Sequence, residues 1–171
     1  MKFKAIFLFL LISSTTVVAA NTINNDNHIL ILNDTLGIDT NELLQINSID
    51  IAAMKITGRG KFTETKSARR TDVMRINFQI KNNKYISPGY KDVYILIQNP
   101  KGIILNRKGT FEVFGGKKLR YTEKTEAYYE NNYLRISILT NKFIQKIVKG
   151  IYTVTIYIEN YPVGLEMIRL R

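Results

Sequence analysis

The sequence predicts an all-β fold, an antiparallel sandwich of about seven to eight short strands filling residues 47–171. Three observations carry this expectation. Apolar residues recur at every second position in several segments, the period of a strand with one buried face. Turn-forming residues separate those segments at intervals of roughly 8 to 15 residues. No helical period is sustained anywhere from Ser48 onward.

The chain opens with MKFKAIFLFLLISSTTVVAA. Lys2 and Lys4 give it a positive start, and Ala5 to Ile12 form an apolar run too short to span a bilayer. Val18-Ala19-Ala20 supply small residues before a cleavage point at Asn21. Residues 1–20 therefore read as a signal peptide, and the protein as exported, to the periplasm or the cell surface. No later segment has the apolar length of a spanning helix, so no transmembrane span is expected in the mature chain. Cysteine is absent, so neither a disulfide nor a lipid on cysteine is available, and the domain must fold by burial alone. The formal charge is +11; removing Lys2 and Lys4 leaves 23 − 14 = +9. A chain this basic is drawn to anionic polymers, although Lys, Asn, Ile and Tyr are all abundant, which an AT-rich genome alone would produce.

Residues 21–46 form an Asn-rich linker or short helical segment. Ile29, Leu32, Leu36, Leu43 and Ile46 fall at heptad spacing. Asp39 interrupts the seam, and Gly37 and the clustered asparagines oppose a long helix. The strands follow. TDVMRINFQI sets Met74, Ile76, Phe78 and Ile80 on one face and Arg75, Asn77 and Gln79 on the other. KDVYILIQN sets Val93, Ile95 and Ile97 on one face, with Tyr94 and Leu96 behind, as a central strand requires. Asn99-Pro100-Lys101-Gly102 closes it with a turn, and GIILN is a short return strand. TFEVFGGKKLRYT is a hairpin whose Gly115-Gly116 supply positive φ. NYLRISIL aligns Leu134, Ile136 and Ile138. Phe143 and Ile147, four apart, predict one helical turn crossing between sheets.

The last hairpin, KGIYTVTIYIENYPVG, narrows the fold class. In immunoglobulin-like sandwiches a tyrosine at the head of the penultimate strand tucks under the preceding crossover and bonds its backbone. Tyr152 stands at that place. Gly150 lets the chain bend sharply into the strand, and Val154, Ile156 and Ile158 continue Tyr152's inward face. Pro162 suits the final strand to a sheet edge. The expected fold is thus an antiparallel immunoglobulin-like β-sandwich.

KSARRTDVMRINFQI, PGYKDVYILIQNPKGIIL and KGIYTVTIYIENYPVGLEMIRL together resemble the C-terminal sandwich module of exported cell-envelope proteins of Bacteroidota. The matching positions are Arg75-Ile76 with Phe78; Val93-Tyr94 with Asn99, Pro100 and Gly102; and Gly150, Tyr152, Val154, Tyr157 and Gly164. Asn160-Tyr161 departs from the Asp or Asn followed by Gly that is frequent at that hairpin. The resemblance implies an envelope-associated immunoglobulin-like module without known chemistry.

No catalytic set is legible. The sole histidine, His28, lies in the linker, where it is a surface residue or half of an incidental copper or nickel site. Ser-His and Cys-His nucleophiles therefore lack a partner. Zinc and calcium ligand patterns are missing, and no cofactor is expected. Glu123, Glu126 and Glu130 are the nearest approach to paired carboxylates, with nothing around them to suggest a cleft. Two binding candidates remain. GRGKFTETKSARR carries Arg59, Lys61, Lys66, Arg69 and Arg70 against Glu64 alone, suited to phosphates or carboxylates or to protecting a sheet edge. EAYYENNY gathers Tyr128, Tyr129 and Tyr133, suited to a protein interface, to sugar stacking, or to ordinary packing. The expectation is a non-enzymatic interaction module with a protein partner in a cell-envelope assembly. The alternative is a binder of anionic envelope polymer (lipopolysaccharide, peptidoglycan or acidic glycan) through the basic loop. No specific nucleic acid is expected as a partner.

Overall fold

The strictest alternation in the sequence builds the middle of one sheet. Strand β3 (Val73–Ile80) buries Met74, Ile76, Phe78 and Ile80 on its inner side. It pairs antiparallel with β1 (Ile46–Ile56) on one flank and β8 (Leu134–Leu139) on the other. A three-residue strand, β2 (Phe62–Glu64), adds to the far side of β1, giving the order β2-β1-β3-β8. The computed structural model describes residues 43–171. The expected signal peptide 1–20, His28 and the rest of the expected linker up to residue 42, and the Arg59 side chain all lie outside the described residues.

The second sheet has the order β10-β9-β4-β7, from β4 (Gly89–Gln98), β7 (Glu123–Tyr129), β9 (Gly150–Ile158) and β10 (Tyr161–Leu170). β4 is central, as its two apolar faces require, and Val93, Ile95 and Ile97 point inward. They meet Val154, Ile156 and Ile158 of β9 across the sheet and β3 across the sandwich. Each fully buried aliphatic side chain of this kind contributes roughly 1.5–3 kcal/mol. The grouping of β1, β3 and β8 against β10, β9 and β4 is that of an immunoglobulin-like sandwich. β10 is a sheet edge, where Pro162 removes no ladder bond the sheet needs.

A two-stranded arm forms a third layer. β5 (Gly109–Glu112) and β6 (Lys118–Tyr121) turn through Gly115 and Gly116, both at positive φ, as expected. The arm folds over the outer face of the second sheet. Phe111 stacks on Tyr94 at 4.1 Å and meets Tyr157 edge-on at 5.2 Å. Phe114 stacks on Tyr161, and its N–H donates to the Asn160 carbonyl. Phe111→Ala should release the arm and cost about 3 kcal/mol. Limited trypsinolysis checks it, with cleavage expected after Arg107 and Lys108 well before the core is cut.

Two expectations are corrected. GIILN makes only one bridge, Ile104 to Gln98, rather than a strand. Leu105 turns into the core and Asn106 takes positive φ, which ends any pairing. The predicted helical turn at 143–147 does not form, although Phe143 and Ile147 are both buried. Asn106 takes the bonds a helix would have used. Its side chain accepts from the Ile144 N–H at 3.0 Å and donates to the Asn141 and Lys142 carbonyls, while its own N–H reaches the Gln145 side chain. Asn106→Ala should cost about 1–3 kcal/mol and speed amide exchange across 141–145. Residues just before 47 also pack on the sandwich: Leu43, Leu44 and Ile46 are buried, because the Gln45 carbonyl accepts a bond from the Lys81 N–H and draws them against the end of β3.

Candidate functional site

Strand direction sorts the connections into two ends. At one end lie the β3–β4 connection, the start of β4, the end of β7 and the β7–β8 connection. Of the three clustered tyrosines, Tyr129 is fully buried, as ordinary packing predicts. Its hydroxyl accepts from the Asn83 N–H at 2.6 Å and donates to the Lys81 carbonyl at 3.0 Å, so it pins the β3–β4 connection. The cause is register: Tyr129 faces Gly89 on the inner side of β7, and alternation then turns Tyr128 outward. Tyr128 and Tyr133 are exposed, which an interface or a stacking surface needs. Tyr90, which the sequence reading passed over, pairs directly with Tyr128 across the ladder, ring centroids 5.0 Å apart. Tyr85 is exposed on the adjoining connection. Asn131 ties the two connections together by donating to the Asn83 and Ile86 carbonyls. The Asn-Asn pairs at 82–83 and 131–132 were the available signal, since asparagine bonds nearby backbone and tolerates positive φ.

At the opposite end the basic loop runs from β1 to β3. Lys61, Lys66, Arg69 and Arg70 are exposed, and none forms an ion pair with another described residue. Glu64, the loop's one acid, is taken by Arg75 at 2.6 Å. The loop is fixed rather than loose: Arg171 donates to the Lys66 carbonyl at 2.7 Å, and Ala68 donates to the Arg171 carbonyl at 2.9 Å. An open groove of about 500 Å³ beside it lies between β1 and β10, lined by Lys66, Arg169 and Arg171 together with Asp50 and Glu64.

Two further connections leave this same end. The one after β4 carries Lys101, Arg107 and Lys108; the one after β8 carries Lys142, Lys146 and Lys149. Asn106 joins them, and Pro100 packs onto Gly150. The Phe143 N–H bonds the Asp72 carbonyl, and Lys142 lies 3.5 Å from the Asp72 carboxylate, which ties both to the basic loop. Of this end's acids, Glu123 pairs with Lys108 and accepts from the Asn141 N–H. The basic surface is therefore an entire end of the sandwich rather than one loop.

Tyr152 and Gly150 sit as expected. The buried Tyr152 hydroxyl accepts from the Val148 N–H and donates to the Val148 carbonyl, both at 2.9 Å. Burial raises its pKa more than the Val148 N–H lowers it. On the outer face of β4, Asp92 takes Lys124 and the Tyr94 hydroxyl, each at 2.8 Å. Burial raises the Asp92 pKa, but these two partners outweigh it and hold it below the usual value. Glu123 and Glu126 project to opposite sides of β7, so they share no cleft. Among the described residues no group of three or more His, Cys, Asp or Glu is gathered as a metal site, and no helix is long and apolar enough to cross a membrane.

A family model described as a domain of unknown function, DUF8428, matches residues 47–171. The chain belongs to the DUF8428 family. The DUF8428 match begins one residue into β1 and ends at the C-terminal arginine, so it takes in both sheets, the arm and both ends. None of the curated proteins searched matches the chain.

Proposed function

We propose that this DUF8428 protein is a non-enzymatic, exported interaction module that binds a protein partner in a bacterial cell envelope. The observation that carries this is the group of four exposed tyrosines at one end. Tyr85 and Tyr133 stand on connections held by Asn83, Asn131 and Tyr129, and Tyr90 and Tyr128 on the adjoining strand ends of β4 and β7. Tyrosine offers a large, stiff contact area at low entropy cost and is enriched where partners bury energy. The leader-like residues 1–20 and the resemblance to exported modules of Bacteroidota support the envelope setting. A photo-crosslinking side chain placed at Tyr90, and at Thr110 on the arm as control, tests the reading. One discrete adduct from position 90 alone is expected. A strictly monomeric protein that yields no adduct from position 90 would sink it.

The basic end favours a second reading, a binder of anionic envelope polymer. Binding of that kind falls steeply as salt rises, whereas contacts made by tyrosine faces change little. Affinity measured at low and high salt for lipopolysaccharide and for the cross-linked partner separates the two readings.

A further inference from the structure

Apolar side chains stand among the lysines of the basic end, on backbone that hydrogen bonds hold in place. Phe143 and Ile147 anchor the connection after β8 in the core, which turns the residues beside them outward. Ile144 is 86% exposed, and Val148 is exposed four residues later. Lys142, Lys146 and Lys149 flank them. Ile103 is exposed on the neighbouring connection, next to Lys101. The supporting bonds point to the same place. Asn106 holds the Ile144 N–H, and the Tyr152 hydroxyl holds both backbone groups of Val148. Asn99 accepts from the Lys101 and Ile103 N–H groups and fixes that turn. A single exposed isoleucine on a surface is ordinary. Three aliphatic tips on two clamped connections that Asn106 joins, with lysines beside them in sequence, form an amphipathic surface.

We infer that this end docks on the anionic surface of a lipid bilayer, with Ile103, Ile144 and Val148 entering the headgroup boundary and the lysines meeting lipid phosphates. The inference rests on the reading of the basic end as an anion-binding surface and names its ligand. Charge complementarity selects the occupant. A soluble polyanion would use the cations and leave the aliphatic tips in water. A protein partner is a poorer fit, because protein interfaces are depleted in lysine and rich in aromatic anchors and arginine. Lysine stems reach past aliphatic neighbours to the headgroups, and both terms add to membrane affinity. The clamps matter because backbone already held in place loses less freedom on docking.

The test uses the protein as recovered from cells, sedimented with vesicles of phosphatidylglycerol mixed with phosphatidylcholine, with phosphatidylcholine alone, and titrated separately with soluble polyphosphate. Partition onto the phosphatidylglycerol vesicles only, weakened by salt, is expected. The double variant Lys142→Gln, Lys146→Gln should lose about fivefold per lysine on vesicles and should weaken polyphosphate binding as well. Ile144→Ser, which removes an exposed side chain and leaves the core intact, should lose about tenfold on vesicles and nothing on polyphosphate. Vesicle binding untouched by Ile144→Ser overturns the bilayer proposal while leaving the anion-binding reading in place. Binding to neither vesicles nor polyphosphate overturns both.

Discussion

Gly150→Ala is expected to lower stability by roughly 4 kcal/mol, the sum of a backbone penalty and a steric one. Gly150 has φ of +140°, a conformation side chains avoid, and a Cβ there would lie 2.4 Å from Pro100 Cγ and 2.9 Å from Pro100 Cβ. Pro100 has little room to withdraw, because the Asn99 carbonyl and side chain brace the turn that carries it. The two terms separate experimentally. Gly150→Ala with Pro100→Gly should regain the steric share, about half of the loss, while the backbone share persists. Urea unfolding of the three variants and the parent measures this. A single variant as stable as the parent would show that the β4 turn and the head of β9 are not locked together. The connection bearing Ile103 would then not be fixed against the one bearing Val148.

Tyr152→Ala should cost about 3–5 kcal/mol by leaving a cavity at the heart of the sandwich, since the ring is fully buried. Tyr152→Phe isolates the hydroxyl and should cost about 1–3 kcal/mol by releasing the Val148 N–H and carbonyl. The pH dependence has a definite sign. The folded-state pKa of Tyr152 is raised above its ordinary value of 10.0, so the neutral phenol is the stabilising form. Its contribution is complete below pH 10 and is lost as pH climbs through the raised value. Tyr129 behaves alike, because its burial outweighs the Asn83 N–H bond. Alkaline unfolding should therefore come later in Tyr152→Phe, relative to its own stability at pH 8, than in the parent. Identical alkaline profiles would show that Tyr152 does not carry the transition. Because the same hydroxyl presents Val148 to solvent, Tyr152→Phe should also weaken any docking at that end more than its stability loss explains.

Much of the fold was legible because a strand's faces are written locally. The alternation in TDVMRINFQI assigned Met74, Ile76, Phe78 and Ile80 to the interior without reference to any partner. The Gly150-x-Tyr152 pair marked the crossover by a bond only four residues long, Tyr152 to Val148. Failures came where a distant side chain supplied the bonds. The spacing of Phe143 and Ile147 read as helix, yet Asn106, far away in sequence, took that segment's hydrogen-bonding groups. For the tyrosine cluster the sequence left packing and interface both open, and only the register opposite Gly89 turned Tyr129 inward and set Tyr90 beside Tyr128.

The amino-acid order alone determined that the chain alternates, where it turns, that it is strongly basic, and that Tyr152 belongs in the core, since each depends on near neighbours or on a sum over residues. Tertiary structure alone decided which charges stand together. Lys61, Lys101 and Lys146 lie on three separate connections, and antiparallel pairing carries all three to one end while the exposed tyrosines go to the other. That division follows from strand direction, which fixes the end at which each connection emerges and which no local pattern of residues encodes.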